Sequence, residues 1–466
     1  MTTPSREHRR ERGNDTRLSL LWSSTRDSLW FIPTLCTVAA VVLAIVIVRL
    51  DAGWDLVGAL GGVLFSGGAD GARGVLSAVA GSLITVTGVV FSVTIVALQL
   101  ASSQFTPRLL RSFVADRVNQ AVLGIFIGTF TYTLLVLRTI RSAADEPRMF
   151  VPQVGVSVAL VLLMVSVGAL IVYIDHAAHS IRASVILHRE TQRTIALVES
   201  LYRERVPLPA PAQESMLSPD VSHAGPGAVV ASTEAGYVQA IHAEALWPLG
   251  RGRGGGSLFI RAELSIGTFA FPGKPLASVW PPHAADEEVS RAIREAIVLG
   301  PERTPEQDVE FGIVELSDIA LKALSPGIND PTTAVHCIDR LTQILAALGT
   351  RIPPASRRAS PDGAVCLLMR GTSFDRAAGL AFDQIRHFGA GNPAITKRLL
   401  ESLADLADVV DGDLLPTLEA QAEAAEREAR RSIEDPADLA TVEHLTARVL
   451  APMRRRGERQ VGGEAT

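Results

Sequence analysis

Read as a string of apolar and polar positions, the chain divides near residue 174. Before that point four long apolar runs stand out, at 31–50, 75–104, 119–137 and 151–174. A helix rises about 1.5 Å per residue, so about 20 apolar residues cross the roughly 30 Å hydrocarbon core of a bilayer. Each run therefore predicts a transmembrane helix. The second run differs from the others: Val75 to Gln104 also carries Ser82, Thr85, Thr87, Ser92, Thr94 and Gln99. It is long enough that it must tilt or emerge from the core. Asp51 to Gly74 is too short for a further span and reads as a hairpin loop. Thr106 before Pro107 reads as a cap and first helical position, predicting a short surface helix from Pro107 to Ala115.

Beyond 174 the pattern changes twice. Across 175–226, Ile181, Val185, Thr191, Ile195 and Val198 keep a helical spacing to about Tyr202, predicting a stalk, and a Pro/Ser-rich linker follows. Across 227–282 the period falls to two: Tyr237, Gln239 and Ile241 alternate with Val238, Ala240 and His242, and Leu258 to Leu264 alternates similarly. With Gly236 opening the first run and Gly267, Gly273 and Pro275 following the second, this block predicts a small β-barrel-like domain. Arg251 to Ser257 reads as a hairpin tip rather than a phosphate cradle, because it opens no helix and lacks the P-loop lysine. Helical spacing returns over 283–453, with Asp330 and Pro331 as the plainest cap and first position. Residues 1–30 and 454–466 read as polar tails, the latter disordered. The fold class is thus an α-helical membrane protein with four transmembrane helices and a cytoplasmic α+β region, a β-barrel-like block followed by a helical domain.

Composition agrees. The 466 residues are 47% hydrophobic and only 20% charged, against about 25% charged in ordinary soluble domains. A net charge of -5 gives no basic face for nucleic acid. Cys36, Cys337 and Cys366 are scattered and show neither disulfide nor metal spacing. Nucleophile elbows, zincin motifs and Walker sequences are absent, so no catalytic residue, metal site, cofactor or enzyme activity is expected. Arginines bias the orientation: nine flank the spans on the side of the N-terminus and five on the other, which puts both termini inside.

The polar positions of the second span are the first candidate site. Thr85, Ser92, Gln99 and Ser103 lie along one helical stripe and could line a water-filled path. The competing reading is packing, with Ser77, Gly81 and Thr85 as a small-residue ridge and Gly124 and Gly128 as its counterpart in the third span. Gln99 must face protein or water, since a lipid-facing amide is costly. No Asp, Glu, Lys or His stands in the middle of a span, which favours passive conduction over proton-coupled transport. Asp175, His176 and His179 read as a polar collar at the end of the fourth span. Asn329 and Asp330, in the turn SPGINDP, read as a tight corner between helices or as a ligand or interface turn. Asp308, Glu310, Glu315 and Asp318 do not align on one catalytic face and read as solvated.

VVFSVTIVALQLASSQFTPRLLRSF (Val89 to Phe113), Gly236-Tyr237-Val238, EFGIVELSDIALKALSPGINDPTTA (Glu310 to Ala334) and IRHFGAGNPAITKRLL (Ile385 to Leu400) together resemble a bacterial family of uncharacterised predicted membrane proteins. The resemblance implies four N-terminal spans and a cytoplasmic C-terminal half, and it implies no activity. It adds a bacterial inner membrane to the expected location. Two functions follow as expectations. One is an oligomeric channel or channel-like protein whose cytoplasmic half assembles and gates it. The other is a membrane-anchored scaffold or sensor whose spans only hold that half. The expected partners are membrane lipid, further copies of the chain and a small ion or ligand, without nucleic acid.

Overall fold

The computed structural model describes residues 30–53, 65–104, 116–141, 150–180, 182–204, 225–250, 257–352 and 357–463. The chain forms two compact units, Met1–Arg182 and Ala183–Thr466. The expected surface helix at 107–115, most of the linker and the glycine tip at 251–256 lie outside the described residues.

The first unit holds four helices long and apolar enough to cross a membrane: α1 (Phe31–Gly53), α2 (Ala69–Gln104), α3 (Arg117–Thr139) and α4 (Gln153–Ser180). The hub is α3, which buries 56% of its apolar window where α1 and α2 bury 11%. Small residues explain this. A Cβ at Gly128 would sit 3.2 Å from the backbone oxygen of Cys36, so α1 rides against the glycine ridge of α3. Tyr132 and Thr133 of α3 turn inward and find partners, as does Ser166 of α4. Tyr132 donates to the Gly155 carbonyl at 3.1 Å, Thr133 donates to its own helix at Thr129, and Ser166 lies 3.2 Å from Thr129 Oγ1. Asp51, near the end of α1, accepts from the backbone N–H groups of Val154 and Gly155 at 3.3 and 3.0 Å. It thereby satisfies two donors that a helix start leaves without partners.

The second unit opens with α5 (Ala183–Leu201) and β1 (Arg203–Glu204). Then follow β2 (Ala228–Ala231), β3 (Gly236–Ile241), β4 (Leu258–Ala262), β5 (Phe269–Ala270), β6 (Pro275–Trp280), α6 (Glu287–Ala296) and β7 (Ile297–Gly300). After α7 (Val309–Leu324) and α8 (Pro331–Gly349) come β8 (Arg351–Ile352), β9 (Arg357–Ala359) and β10 (Val365–Leu368). Four helices close the chain: α9 (Phe374–Gly389), α10 (Pro393–Val409), α11 (Leu415–Ser432) and α12 (Pro436–Gly463).

Among the described residues no closed barrel forms. The strands make an open five-stranded sheet, β2-β6-β4-β10-β9, and an open three-stranded sheet, β5-β3-β7, which share one core around Val238, Ile260, Leu276, Val279 and Ile293. The larger sheet reaches beyond 227–282, because β10 pairs parallel with β4, from Val365 opposite Leu258 to Leu368 opposite Arg261. Parallel neighbours need a long crossover, and here the helices α7 and α8 lie within it.

The segment expected as a stalk is a packed helix. α5 buries Ile186, Leu187, Glu190, Thr191, Thr194 and Val198 against α7 and α8. Gly312 is required there, since a Cβ would lie 2.1 Å from Thr194 Oγ1. The tail is also ordered further than composition suggested. α12 runs to Gly463, with Arg454 bonded to Glu423 and Arg456 to the Ala407 and Val410 carbonyls at the end of α10.

The acidic residues Asp308, Glu310 and Glu315 are buried rather than solvated. Asp308 caps α7 by accepting from Phe311 N at 3.0 Å and takes two bonds from Arg303 at 2.8 and 2.9 Å. Burial pushes its carboxyl above the ordinary value, against the opposing pull of Arg303. Glu310 takes two bonds from Arg376, at 2.6 and 2.9 Å, and one from Thr372 at 3.2 Å. These pairs tie the start of α7 to the start of α9. Replacing Arg376 by Met leaves the Glu310 carboxylate buried with Thr372 alone, and should destabilise the protein by about 1–3 kcal/mol. Thermal unfolding of the full chain in detergent measures it. An unchanged midpoint would mean that water serves Glu310 as well as arginine does.

Candidate functional site

The orientation of α2 is set by its inner side. Leu76, Val79, Leu83 and Val90 are buried at helical spacing against α3 and α4. Tyr173 of α4 fixes the rotation, its hydroxyl lying 3.0 Å from the Val90 carbonyl oxygen and 2.8 Å from Thr94 Oγ1. Thr94 and Thr87 also donate to carbonyls of their own helix, Val90 and Leu83. With these groups inside, the opposite side faces away from the unit.

That outward side carries Ser77, Gly81, Thr85, Gly88, Ser92 and Gln99, all exposed. Nothing stands within 4 Å of a Cβ added at Gly81 or Gly88. Three of the four residues expected along one stripe therefore share a surface, while the side chain of Ser103 lies outside the described residues. Thr85 bonds back to the Gly81 carbonyl at 2.9 Å. Ser77 and Gly81 thus do not pack inside this unit as a ridge against α3; the inner side of α2 uses Leu, Val and Ala instead. Ile84, Val89, Phe91, Ile95 and Val96 flank the stripe, also exposed. The face can accept another helix closely at its glycines and can offer hydroxyls and an amide to a polar partner.

At one end of the unit the histidine collar gains a partner that spacing did not suggest. Asp116 caps α3, accepting from Val118 N at 2.9 Å, and its other oxygen lies 2.8 Å from His176 Nε2. His179 Nδ1 lies 3.3 Å from Asp175, as the four-residue spacing suggested. An aspartate just before an apolar run was the available signal for Asp116.

In the second unit, the SPGINDP turn is a corner between α7 and α8. Asn329 has φ +48°, the left-handed region that asparagine tolerates better than most residues. Asp330 caps α8 with both oxygens, Oδ1 accepting from Thr333 N at 3.1 Å and Oδ2 from Thr333 Oγ1 at 2.5 Å. The carboxylate is thus occupied by its own helix, and Asn329 remains exposed. The turn between α9 and α10 repeats the device, with Asn392 accepting from Ala394 N at 3.0 Å and Pro393 in first position. A Cβ at Gly389 would come within 3.5 Å of Leu324, so the two turns lie at the same end of the helical layer. Among the described residues, no three His, Cys, Asp or Glu side chains come together as a metal-holding group.

A family profile described as a predicted membrane protein, DUF2254, matches residues 26–405. The uncharacterised proteins Rv1290c of Mycobacterium tuberculosis and Mb1321c of Mycobacterium bovis are each 32% identical over 400 residues, covering 85% of this chain and 75% of the relative. No solved structure matches.

Two substitutions test the corner. Asp330→Ala removes the cap and should cost about 1 kcal/mol, whereas Asp330→Asn keeps it at a few tenths. The hydroxyl and backbone N–H of Thr333 hold the Asp330 carboxyl below its ordinary value of 3.8. A depressed acid contributes stability above its unfolded value and loses it as pH falls through the folded one. The margin of wild type over Asp330→Asn in thermal unfolding should therefore shrink as pH drops below about 3.8. A margin that does not change with pH would show that the charge of Asp330 adds nothing to the cap.

Proposed function

We propose that this chain, which belongs to the DUF2254 family of predicted membrane proteins, is an oligomeric channel or channel-like protein of a bacterial inner membrane. Copies meet across the outward face of α2, and both termini are cytoplasmic. The observation that carries the reading is the position of Ser92 and Gln99, exposed on the side of α2 opposite Val90 and Thr94, which Tyr173 holds inward. In lipid an amide without a partner costs several kcal/mol. A second copy, or water held between copies, removes that cost. Gly81 and Gly88 let the helices approach, and the hydroxyl and amide stripe then borders a path without fixed charge. The arginine bias supports the orientation. The second unit, cytoplasmic in this arrangement, assembles the copies.

A second reading, an anchored scaffold or sensor, is favoured by one observation. Thr85 is satisfied within its own helix, and bulky Ile84, Val89 and Phe91 beside the stripe suit a lipid-facing surface.

Ion flux in proteoliposomes separates the two. Wild type should conduct a small monovalent ion, and Gln99→Leu should change the rate by about tenfold or more, the kinetic equivalent of about 1.4 kcal/mol. Folded protein that conducts no common ion would remove the channel reading and leave the scaffold. The scaffold further expects Gln99→Leu to be silent while loss of the soluble half abolishes the phenotype.

A further inference from the structure

The outer side of the five-stranded sheet holds a cleft built by strand register. Val229 of β2, Ser278 of β6 and Arg261 of β4 are partners in one row across three strands. Side chains alternate along a strand, so the neighbouring row of Val230, Ala277 and Ala262 enters the core and this row does not. Glu263, two residues after Arg261, joins the outer row. The turn before β6 closes one end: Lys274 N donates to the Phe271 carbonyl at 2.9 Å, and Gly273 takes φ +90°, as the third position of a type II turn after Pro272 requires. Val229, Glu263, Leu264, Lys274, Pro275 and Ser278 line an open groove of about 370 Å³.

Its lining carries one acid, Glu263, and one base, Lys274. Arg261 Nε and Nη2, at 2.9 and 2.7 Å, and Ser278 Oγ, at 2.5 Å, all donate to Oε1 of Glu263. No described residue donates to Oε2. Burial opposes the charge of Glu263, but the bonds from Ser278 and Arg261 and the nearby Arg261 and Arg370 charges prevail, so its carboxyl titrates below the ordinary range. Lys274 Nζ spends one proton on the Phe269 carbonyl at 2.7 Å and lies 5.5 Å above the Phe271 ring, leaving two protons to donate. Val229, Leu264 and Pro275 supply the apolar part of the lining.

We propose that this cleft binds a small zwitterion, with its ammonium on Oε2 of Glu263, its acidic group on Lys274 and an apolar body against Val229, Leu264 and Pro275. A plain carboxylate would leave Oε2 of Glu263 without a donor, and a plain amine would leave Lys274 without an acceptor. The same ammonium-plus-acid chemistry occurs in a free amino acid and in the phosphoethanolamine headgroup of a lipid.

Isothermal titration calorimetry on the full-length protein in detergent tests this. The probes are L-leucine, glycerophosphoethanolamine, isoamylamine and isocaproate. One zwitterion should bind saturably. Isoamylamine and isocaproate should bind at least about tenfold more weakly, as should that zwitterion in Lys274→Gln or Glu263→Gln, each lacking one charge-assisted bond. Leucine binding assigns the free amino acid as source, and binding of glycerophosphoethanolamine alone assigns the lipid headgroup. Lys274 sits on an exposed turn, so Lys274→Gln decides the matter if Glu263→Gln proves unfolded by thermal melt. No saturable heat from either zwitterion, or an affinity unchanged in Lys274→Gln, overturns the proposal.

Discussion

Polar groups taken out of water need partners, and the first unit shows how far its helices go to supply them. Tyr132 reaches the Gly155 carbonyl, Asp51 covers the bare start of α4, and Asp116 serves both the start of α3 and His176. Each bond is worth about 1 kcal/mol, but leaving any of these groups bare would cost more. Tyr173 does the same for α2, and in doing so fixes which side of that helix faces out. The outward stripe is the consequence. Ser92 and Gln99 are exposed because the rotation that satisfies Thr94 and buries Val90 leaves them nowhere else to go.

The second unit obeys the same rule with charges. Glu310 is 9% exposed at its side chain, and Arg376, 63% exposed, reaches over to it. Such a pair is weak evidence for net stability, yet removing one member strands the other. Asp308 with Arg303 repeats the arrangement two residues earlier, so the start of α7 is held by two forks. Apolar residues on all sides of α7 were the clue that its carboxylates could not be solvated. Reading the acids by their spacing alone missed it.

What could be read from the chain follows the range of the interaction concerned. The four apolar helices and the Asp330 cap with Pro331 are local patterns, and they lie where spacing put them to within a turn or two. α2 begins at Ala69 rather than Val75 because Gly71 and Gly74 read as loop but sit comfortably in a helix start. The pairing of β10 with β4 joins Val365 to Leu258 across a helical excursion, and no local period encodes that. The stripe on α2 was legible as a stripe. Its facing was not, since the choice depends on Tyr173, a residue of another helix.

The central claim is that Ser92 and Gln99 meet protein or water in the assembled protein rather than lipid. Spin labels attached at cysteines introduced for Ser92, and for exposed Ile171 on α4 as a lipid-facing control, measure this in bilayers through collisions with oxygen and with a water-soluble nickel complex. The label at Ser92 should be protected from oxygen relative to the control and should encounter nickel or be immobilised by a neighbouring copy. Free motion at Ser92 with oxygen collisions equal to those at Ile171 would contradict the account.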